Sequence, residues 1–200
     1  MEKRQQILEA AAEVFAERGF QRARFDDVAR RVGMDRASLY YYVGSKSDLF
    51  EAVAIAPTEA NVIAIEVISR SGAAPEEKLA AAIERLMESY EVHYPNLFVY
   101  IREHGRQIGL GQKRDRRIAE IHKRYDSAFV EILEEGRRAG VFTFDLPANV
   151  LGYSIVGMVA WSHTWFRPGG GLTGAEIGRG LAKLVLHGLR NGAGVRRHPA

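Results

Sequence analysis

Residues 26–50 read DDVARRVGMDRASLYYYVGSKSDLF, with three consecutive tyrosines, Tyr40, Tyr41 and Tyr42, near the centre. Successive side chains on a helix point about 100° apart, so three in a row cover most of its circumference. One short helix cannot bury all three against a single core, and at least one phenol must face outward. On either side the chain is punctuated. Asp26 to Val32 reads as a short helix ended by Gly33. Arg36 to Val43 reads as a second, with Asp35 as its N-cap and Gly44 as its stop. Ser45-x-x-Asp48 makes a capping box for a third helix that reaches about Ser69, kinked or interrupted by Pro57. Ahead of these, Ile7, Ala11, Val14 and Phe15 form an apolar stripe, and Gly19 supplies the stop.

Two short helices joined by a turn around Gly33, with a third before them, fit a helix-turn-helix, whose second helix lies in the DNA major groove. Short helices with glycine turns also occur in any helical protein. Charge leans only locally: residues 1–56 hold nine Lys/Arg and nine Asp/Glu, whereas Arg22 to Lys46 holds six basic residues and three acids. Such a local bias suits a phosphate-contacting surface.

The rest of the chain keeps helical period. SerGlyAlaAlaPro at 71–75 is a loop, and Pro75 opens a helix carrying Leu79, Ile83, Leu86, Met87 and Tyr90 that halts at Pro95. Asn96 to Ile108 reads as the next, stopped by Gly109 and Gly111. Asp115 to Arg138 is long and amphipathic, with Ile118, Ile121, Tyr125, Phe129, Ile132 and Leu133 on one side and Gly140 at its end. Residues 141–144 are the only strand-like run, too short to found a sheet. Ala148 to Phe166 and Ala175 to Arg190 are the last helices, the second opened by a capping box at Thr173-x-x-Glu176. Residues 191–200 read as a disordered tail. The fold class is all-α, with about nine helices.

Composition sets outer bounds. With 46% hydrophobic and 26% charged residues among 200, the chain is an ordinary soluble globular protein. The formal net charge is +3 and the pI about 9.2; this permits a polyanionic partner without demanding one. The absence of cysteine excludes disulfides and thiolate metal sites. The six histidines lack the spacing of a metal site, no GxSxG nucleophile motif occurs, and no carboxylate pair stands out. No catalytic residue, metal or cofactor is therefore assigned, and the chain does not read as an enzyme. Gly169-x-Gly171-x-x-Gly174 matches a dinucleotide pattern but follows no strand. Leu146 to Phe166 lacks formal charge over 21 residues, yet Asn149, Ser154, Ser162, His163 and Thr164 make it a buried helix rather than a membrane span. The N-terminus lacks the features of a signal peptide, so the expected location is cytoplasmic.

Helix one ending AAAEVFAERGF, followed by DDVARRVGMDRASLYYYVGSKSDLF, resembles the N-terminal domain of the TetR family of bacterial transcriptional regulators. The resemblance covers roughly residues 4–51. Its markers are Phe15 to Gly19, Asp27-Val28-Ala29, Gly33, Leu39-Tyr40-Tyr41-Tyr42 and Lys46-x-x-Leu49. It implies a three-helix head at 1–51 that binds a palindromic operator in double-stranded DNA, and a larger ligand-binding and dimerisation domain at 52–190. Arg36, Ala37 and Ser38 would face bases, Arg36 pairing with a guanine edge. Tyr40 would lie near bases, Tyr41 and Tyr42 would reach phosphates, and Lys46 would neutralise a phosphate. Val28, Ala29, Leu39 and Phe50 would form the small core. The family places Thr or Ser where Ala23 and Arg24 stand; that cap is lost here, and Arg24 would meet DNA by charge.

The run MVAWSHTWFRPGGGLTGAEI resembles a TetR subgroup with a Trp-x-x-x-Trp-x-Arg-Pro-x-Gly signature that responds to CoA thioesters. Trp161 and Trp165, four residues apart, would either fill the core and dimer interface or wall a chamber with Arg167 at its mouth. Arg102, Arg106 and Arg167 are the candidates for thioester phosphates. An apolar drug-like inducer of an efflux regulator, or a helical acyl-CoA-binding protein that never meets DNA, are the competing readings. Lys113 to Arg117 is either a second DNA contact or a solvated face. Ile155, Val159, Leu181, Leu184, Val185 and Leu189, with Gly178 and Gly188 allowing close approach, would make the homodimer seam.

Overall fold

The computed structural model describes residues 2–104 and 112–190, without the side chains of Glu2, His104 and residues 112–114. Among these residues there are nine α-helices and no strand. They are α1 (Glu2–Arg22), α2 (Phe25–Arg31), α3 (Arg36–Tyr42), α4 (Lys46–Ser69), α5 (Pro75–Val92), α6 (Asn96–His104), α7 (Gln112–Arg138), α8 (Ala148–Ala160) and α9 (Gly174–Arg190). The all-α class is what the sequence implies. The stop expected at Gly109 and Gly111 and the tail at 191–200 lie outside the described residues.

Glycine ends several helices as expected. Gly19, Gly33 and Gly140 sit at φ of 75°, 66° and 71°, the left-handed region that side chains avoid. At Gly19 the last turn of α1 breaks, with ψ at 155°. Pro57 does not end α4. A π-helical turn over Glu51–Ile55 precedes it, and the Thr58 hydroxyl donates to the Ala54 carbonyl at 2.8 Å. The widened turn accommodates the missing proline N–H.

Helix α8 stops at Ala160, not Phe166, and Trp161–Thr164 continues as a 3₁₀ turn. Its 13 residues extend about 20 Å, short of a bilayer core. Among the described residues, helix α4 alone is long and apolar enough to cross a membrane by length and composition, with mean hydropathy of 1.4. It is a core helix: Val53, Ala54, Ile55, Val62 and Ile65 are fully buried. Its Glu51 and Glu59 pair with Arg117, and its Glu66 with Arg124.

The chain forms two compact units, Met1–Ala60 with Val92–Ile121, and Asn61–Glu91 with His122–Ala200. In the first, Phe15, Phe20 and Phe50 form an aromatic cluster with centroids 4.9–6.0 Å apart. Ile7, Val28, Ala29, Leu39 and Leu49 are buried in the same unit. In the second, Leu79, Ile83, Met87, Phe129, Ile132 and Leu133 are fully buried. The strand-like 141–144 run is a loop. Its Phe142 lies over Gly136, where a Cβ would stand 2.1 Å from the ring, and the Thr143 amide donates to the Leu189 carbonyl.

Helix α9 opens with the expected reciprocal cap: Thr173 N–H donates to Glu176 at 2.8 Å, and Glu176 N–H to the Thr173 hydroxyl at 3.2 Å. It then presses backbone to backbone on α5, since a Cβ at Gly178 would stand 2.8 Å from the Glu84 Cα. Gly188 has nothing within 4 Å, so only the first of the two expected glycines makes a close approach. Gly178→Ala should therefore cost about 1–3 kcal/mol by overpacking. Gly180→Ala, in open space on the same helix, should stabilise by up to about 1 kcal/mol. Chemical denaturation of the two variants separates these signs.

Candidate nucleic-acid interface

Helix α3 starts at a strong cap. Asp35 accepts the Ser38 amide and the Ser38 hydroxyl, both at 2.8 Å. These two bonds hold the Asp35 carboxyl below its usual range. Only Leu39 of the seven α3 residues is buried. Arg36, Ala37, Tyr40, Tyr41 and Tyr42 are exposed, and Ser38 is half-buried. A helix with one buried side chain presents most of its surface to something else.

The three tyrosines differ. Tyr41 is 87% exposed and meets Tyr42 edge-on, with centroids 5.4 Å apart. Tyr40 stacks on Phe25 of α2 at 4.4 Å. Arg36 lies over the same Tyr40 ring, donates to its phenol oxygen at 3.3 Å, and pairs with Asp26 at 3.5 Å. The Arg36 guanidinium is thus held in place while its side chain stays exposed. A recess of about 770 Å³ opens beside it, with Arg22, Arg24, Arg36 and Lys46 on its wall.

The lost cap of α2 is replaced from inside the helix. Arg24 has no acceptor to offer, but Asp27 accepts the Arg24 amide at 2.9 Å. The Asp27 side chain is buried and also pairs with Arg18 of α1 at 2.8 Å and Arg30 at 2.7 Å. The Arg24 amide, then the charges of Arg18 and Arg30, hold its carboxyl below the usual range against the opposing effect of burial. Asp27 thus ties α1 to the start of α2. The sequence signalled it only as part of a motif.

Several basic residues of the head are engaged internally. Arg31 forms two hydrogen bonds to Glu17 and a further one to Glu13 of α1. Lys46, expected at a phosphate, directs its ammonium to the carbonyls of Phe20, Ala23 and Gln21 at 2.8, 3.0 and 3.4 Å. It also lies 4.5 Å from the centre of the Phe20 ring. Burial lowers its pKa. Arg24, by contrast, is exposed and in no ion pair among the described residues.

Of the residues expected at a ligand, Arg102 belongs to the first unit, and Trp161, Trp165 and Arg167 belong to the second. The Arg102 guanidinium reaches the carbonyls of Phe15 and Ala16 on α1 and lies over the Phe98 ring. Arg106 lies outside the described residues. Trp161 and Trp165 are 65% and 53% exposed, and both lie beyond the end of α8 at Ala160. Arg167 is exposed, with its guanidinium on the Phe166 carbonyl at 2.7 Å. Of the Lys113 to Arg117 run, Arg117 turns to Glu51 and Glu59. Among the described residues no group of three or more His, Asp or Glu is placed to hold a metal ion.

With this geometry in place, the family comparison is direct. Residues 7–53 match the bacterial regulatory proteins of the tetR family, and residues 72–189 match the tetracyclin repressor-like C-terminal domain. The chain belongs to the TetR family and is a DNA-binding transcriptional regulator. It is 29% identical over 188 residues to the HTH-type transcriptional repressor KstR2 of Mycobacterium tuberculosis, covering 94% of this chain and 92% of that one. The solved structure of that ketosteroid regulator superposes with a TM-score of 0.86 at 28% identity, covering 94% and 95%. AibR, solved with isovaleryl coenzyme A and operator DNA, shares the fold at a TM-score of 0.75 and 23% identity, covering 91% and 97%. FadR of Bacillus subtilis, solved with stearoyl-CoA, does so at 0.69 and 23%, covering 92% and 98%.

Asp27→Asn should lower Tm at neutral pH by roughly 5 °C, the size expected for losing a buried, charged hydrogen-bond hub. Because the folded pKa is depressed, the native contribution is complete above the ordinary carboxylate pKa of about 4 and fades as pH falls through the folded value. The gap between the two proteins should therefore narrow in acid. Thermal melts at several pH values check this.

Proposed function

We propose that the protein is a homodimeric, cytoplasmic repressor that binds a palindromic operator through α3 and is released by a small-molecule inducer of the acyl-CoA class. It acts by binding, with no reaction assigned to it. The observation that carries the DNA part is the α3 face, capped by Asp35 and bearing exposed Arg36, Tyr41 and Tyr42. In this reading residues 1–51 form the DNA-binding domain and 52–190 the ligand-binding and dimerisation domain. Arg36, Ala37, Ser38 and Tyr40 face base edges; Tyr41, Tyr42 and Arg24 face phosphates. Lys46 adds positive charge near a phosphate while its hydrogen bonds stay with α1.

The repressor sense is supported by the name of KstR2, and the inducer class by the thioesters in the AibR and FadR structures. The Trp161-to-Gly170 signature points the same way. Arg167 is the exposed cation of that signature, with its guanidinium on the Phe166 carbonyl. Trp161 and Trp165 suit the subunit seam better than a chamber wall. They join Tyr153, Leu172 and Leu184 as exposed apolar side chains, close in sequence to a 450 Å³ groove lined by Leu151, Ile155, Met158 and Val185. A second copy covers such a surface. Inducer binding then favours a domain arrangement whose head spacing no longer matches the two half-sites.

Gel shifts against the protein's own upstream DNA test the reading. Wild type should bind with a steep loss of affinity as salt rises. Arg36→Ala should weaken specific binding by about tenfold or more, the size of one lost base contact. Tyr41→Phe should give a smaller loss, uniform across sequences, and neither change should move Tm. Binding indifferent to sequence and to both substitutions would contradict the assignment.

A further inference from the structure

The second unit carries a polar knot within its core. Asn61 of α4, Ser89 of α5 and Tyr125 of α7 are all buried. Asn61 Nδ2 donates to the Ser89 hydroxyl at 3.0 Å and to the Tyr125 hydroxyl at 2.7 Å, and Ser89 donates its own proton to the Leu86 carbonyl at 2.7 Å. With the Ser89 proton on the Leu86 carbonyl, the amide as placed is the orientation that gives Ser89 a donor. Turned over, the Asn61 oxygen would meet a serine oxygen whose only proton is already committed. As placed, Asn61 Oδ1 is buried without a hydrogen bond, and so is Nε of Arg85, one turn before Ser89. Burial pushes the Tyr125 phenol up, so it stays protonated, against the smaller opposing effects of the Asn61 hydrogen bond and the Arg85 charge.

Each buried polar atom left unpaired costs stability, and apolar side chains of similar size would avoid that cost. Three helices nevertheless bring to this knot one unpaired acceptor, Asn61 Oδ1, the O–H of the Tyr125 that Asn61 bonds, and, one turn along α5 from Ser89, the unpaired Arg85 Nε. A hydrocarbon satisfies none of the three. A bare carboxylate satisfies only the donors. A neutral group with an N–H or O–H beside a carbonyl matches both kinds.

We propose that Asn61, Tyr125 and Arg85 form the polar anchor of the inducer site, taking a neutral donor-and-acceptor group such as a secondary amide. The inference rests on the inducer reading above and narrows it. Coenzyme A thioesters carry secondary amides in their pantetheine arm, whereas a plain fatty acid carries none.

The test is release of a labelled operator duplex by isovaleryl-CoA, stearoyl-CoA and stearic acid, followed by fluorescence anisotropy. Wild type, Tyr125→Phe and Arg85→Met are compared. Tyr125→Phe keeps the bulk of the buried ring, and Arg85→Met alters a residue that is only half-buried. Unchanged operator affinity without thioester shows that each variant is folded. The thioester concentration for half-release should rise about tenfold in both variants, and stearic acid should act weakly on all three proteins. Thioester release equal in wild type and variants overturns the anchor and leaves the inducer class standing. A wild type that no thioester releases overturns the inducer class, and the anchor with it. Stearic acid as effective as stearoyl-CoA overturns amide recognition.

Discussion

Helix α1 breaks at Gly19, and the carbonyls on either side of that break are held by cations from elsewhere in the same unit. Arg102 of α6 holds those of Phe15 and Ala16; Lys46 of α4 holds those of Phe20, Gln21 and Ala23. A helix end leaves its last carbonyls without intrahelical donors and carries partial negative charge, so a cation there answers both needs. The clamp gives the chain a defined exit from α1 into α2. It also joins the start of α4 and the body of α6 to the DNA-reading head.

The position of α3 follows from that exit. Asp27 fixes the start of α2 against α1 through Arg18, and Arg31 fixes its end through Glu17 and Glu13. Phe25, buried at the first position of α2, supplies the face on which Tyr40 stacks, and Tyr40 in turn carries Arg36. The arginine proposed to read a base is therefore oriented by contacts that run back to α1. Holding a side chain in place before binding reduces the entropy lost when it engages its target. The internal pairs also explain why a head of zero net charge can serve DNA. Four of its nine acids, Glu13, Glu17, Asp26 and Asp27, pair with its own arginines, while Arg24 and the face of α3 remain outward.

Much of this was legible in the sequence where a residue type dictates its own geometry. Gly19, Gly33 and Gly140 mark helix ends because they alone tolerate positive φ, and Asp35, Ser45 and Thr173 mark starts because their side chains cap. The surplus of tyrosines foretold an outward face from geometry alone. What escaped reading has backbone or distant partners. No pattern says that Lys46 will bond three carbonyls some 25 positions earlier, or that Arg102 will cap α1. The end of α8 at Ala160 was hidden because residues 148–166 carry no formal charge, with no glycine or proline where the 3₁₀ turn begins. The Asn61 knot was invisible for a similar reason: single polar residues on three separate helices carry no shared spacing.

The central claim is that two copies of α3 sit in successive major grooves of one operator. Hydroxyl-radical footprinting of the upstream DNA with purified protein tests it most directly. The account predicts two protected patches related by two-fold symmetry, with centres about one helical turn apart, roughly 10–10.5 base pairs. A single protected patch, or uniform weak protection along the fragment, would contradict it.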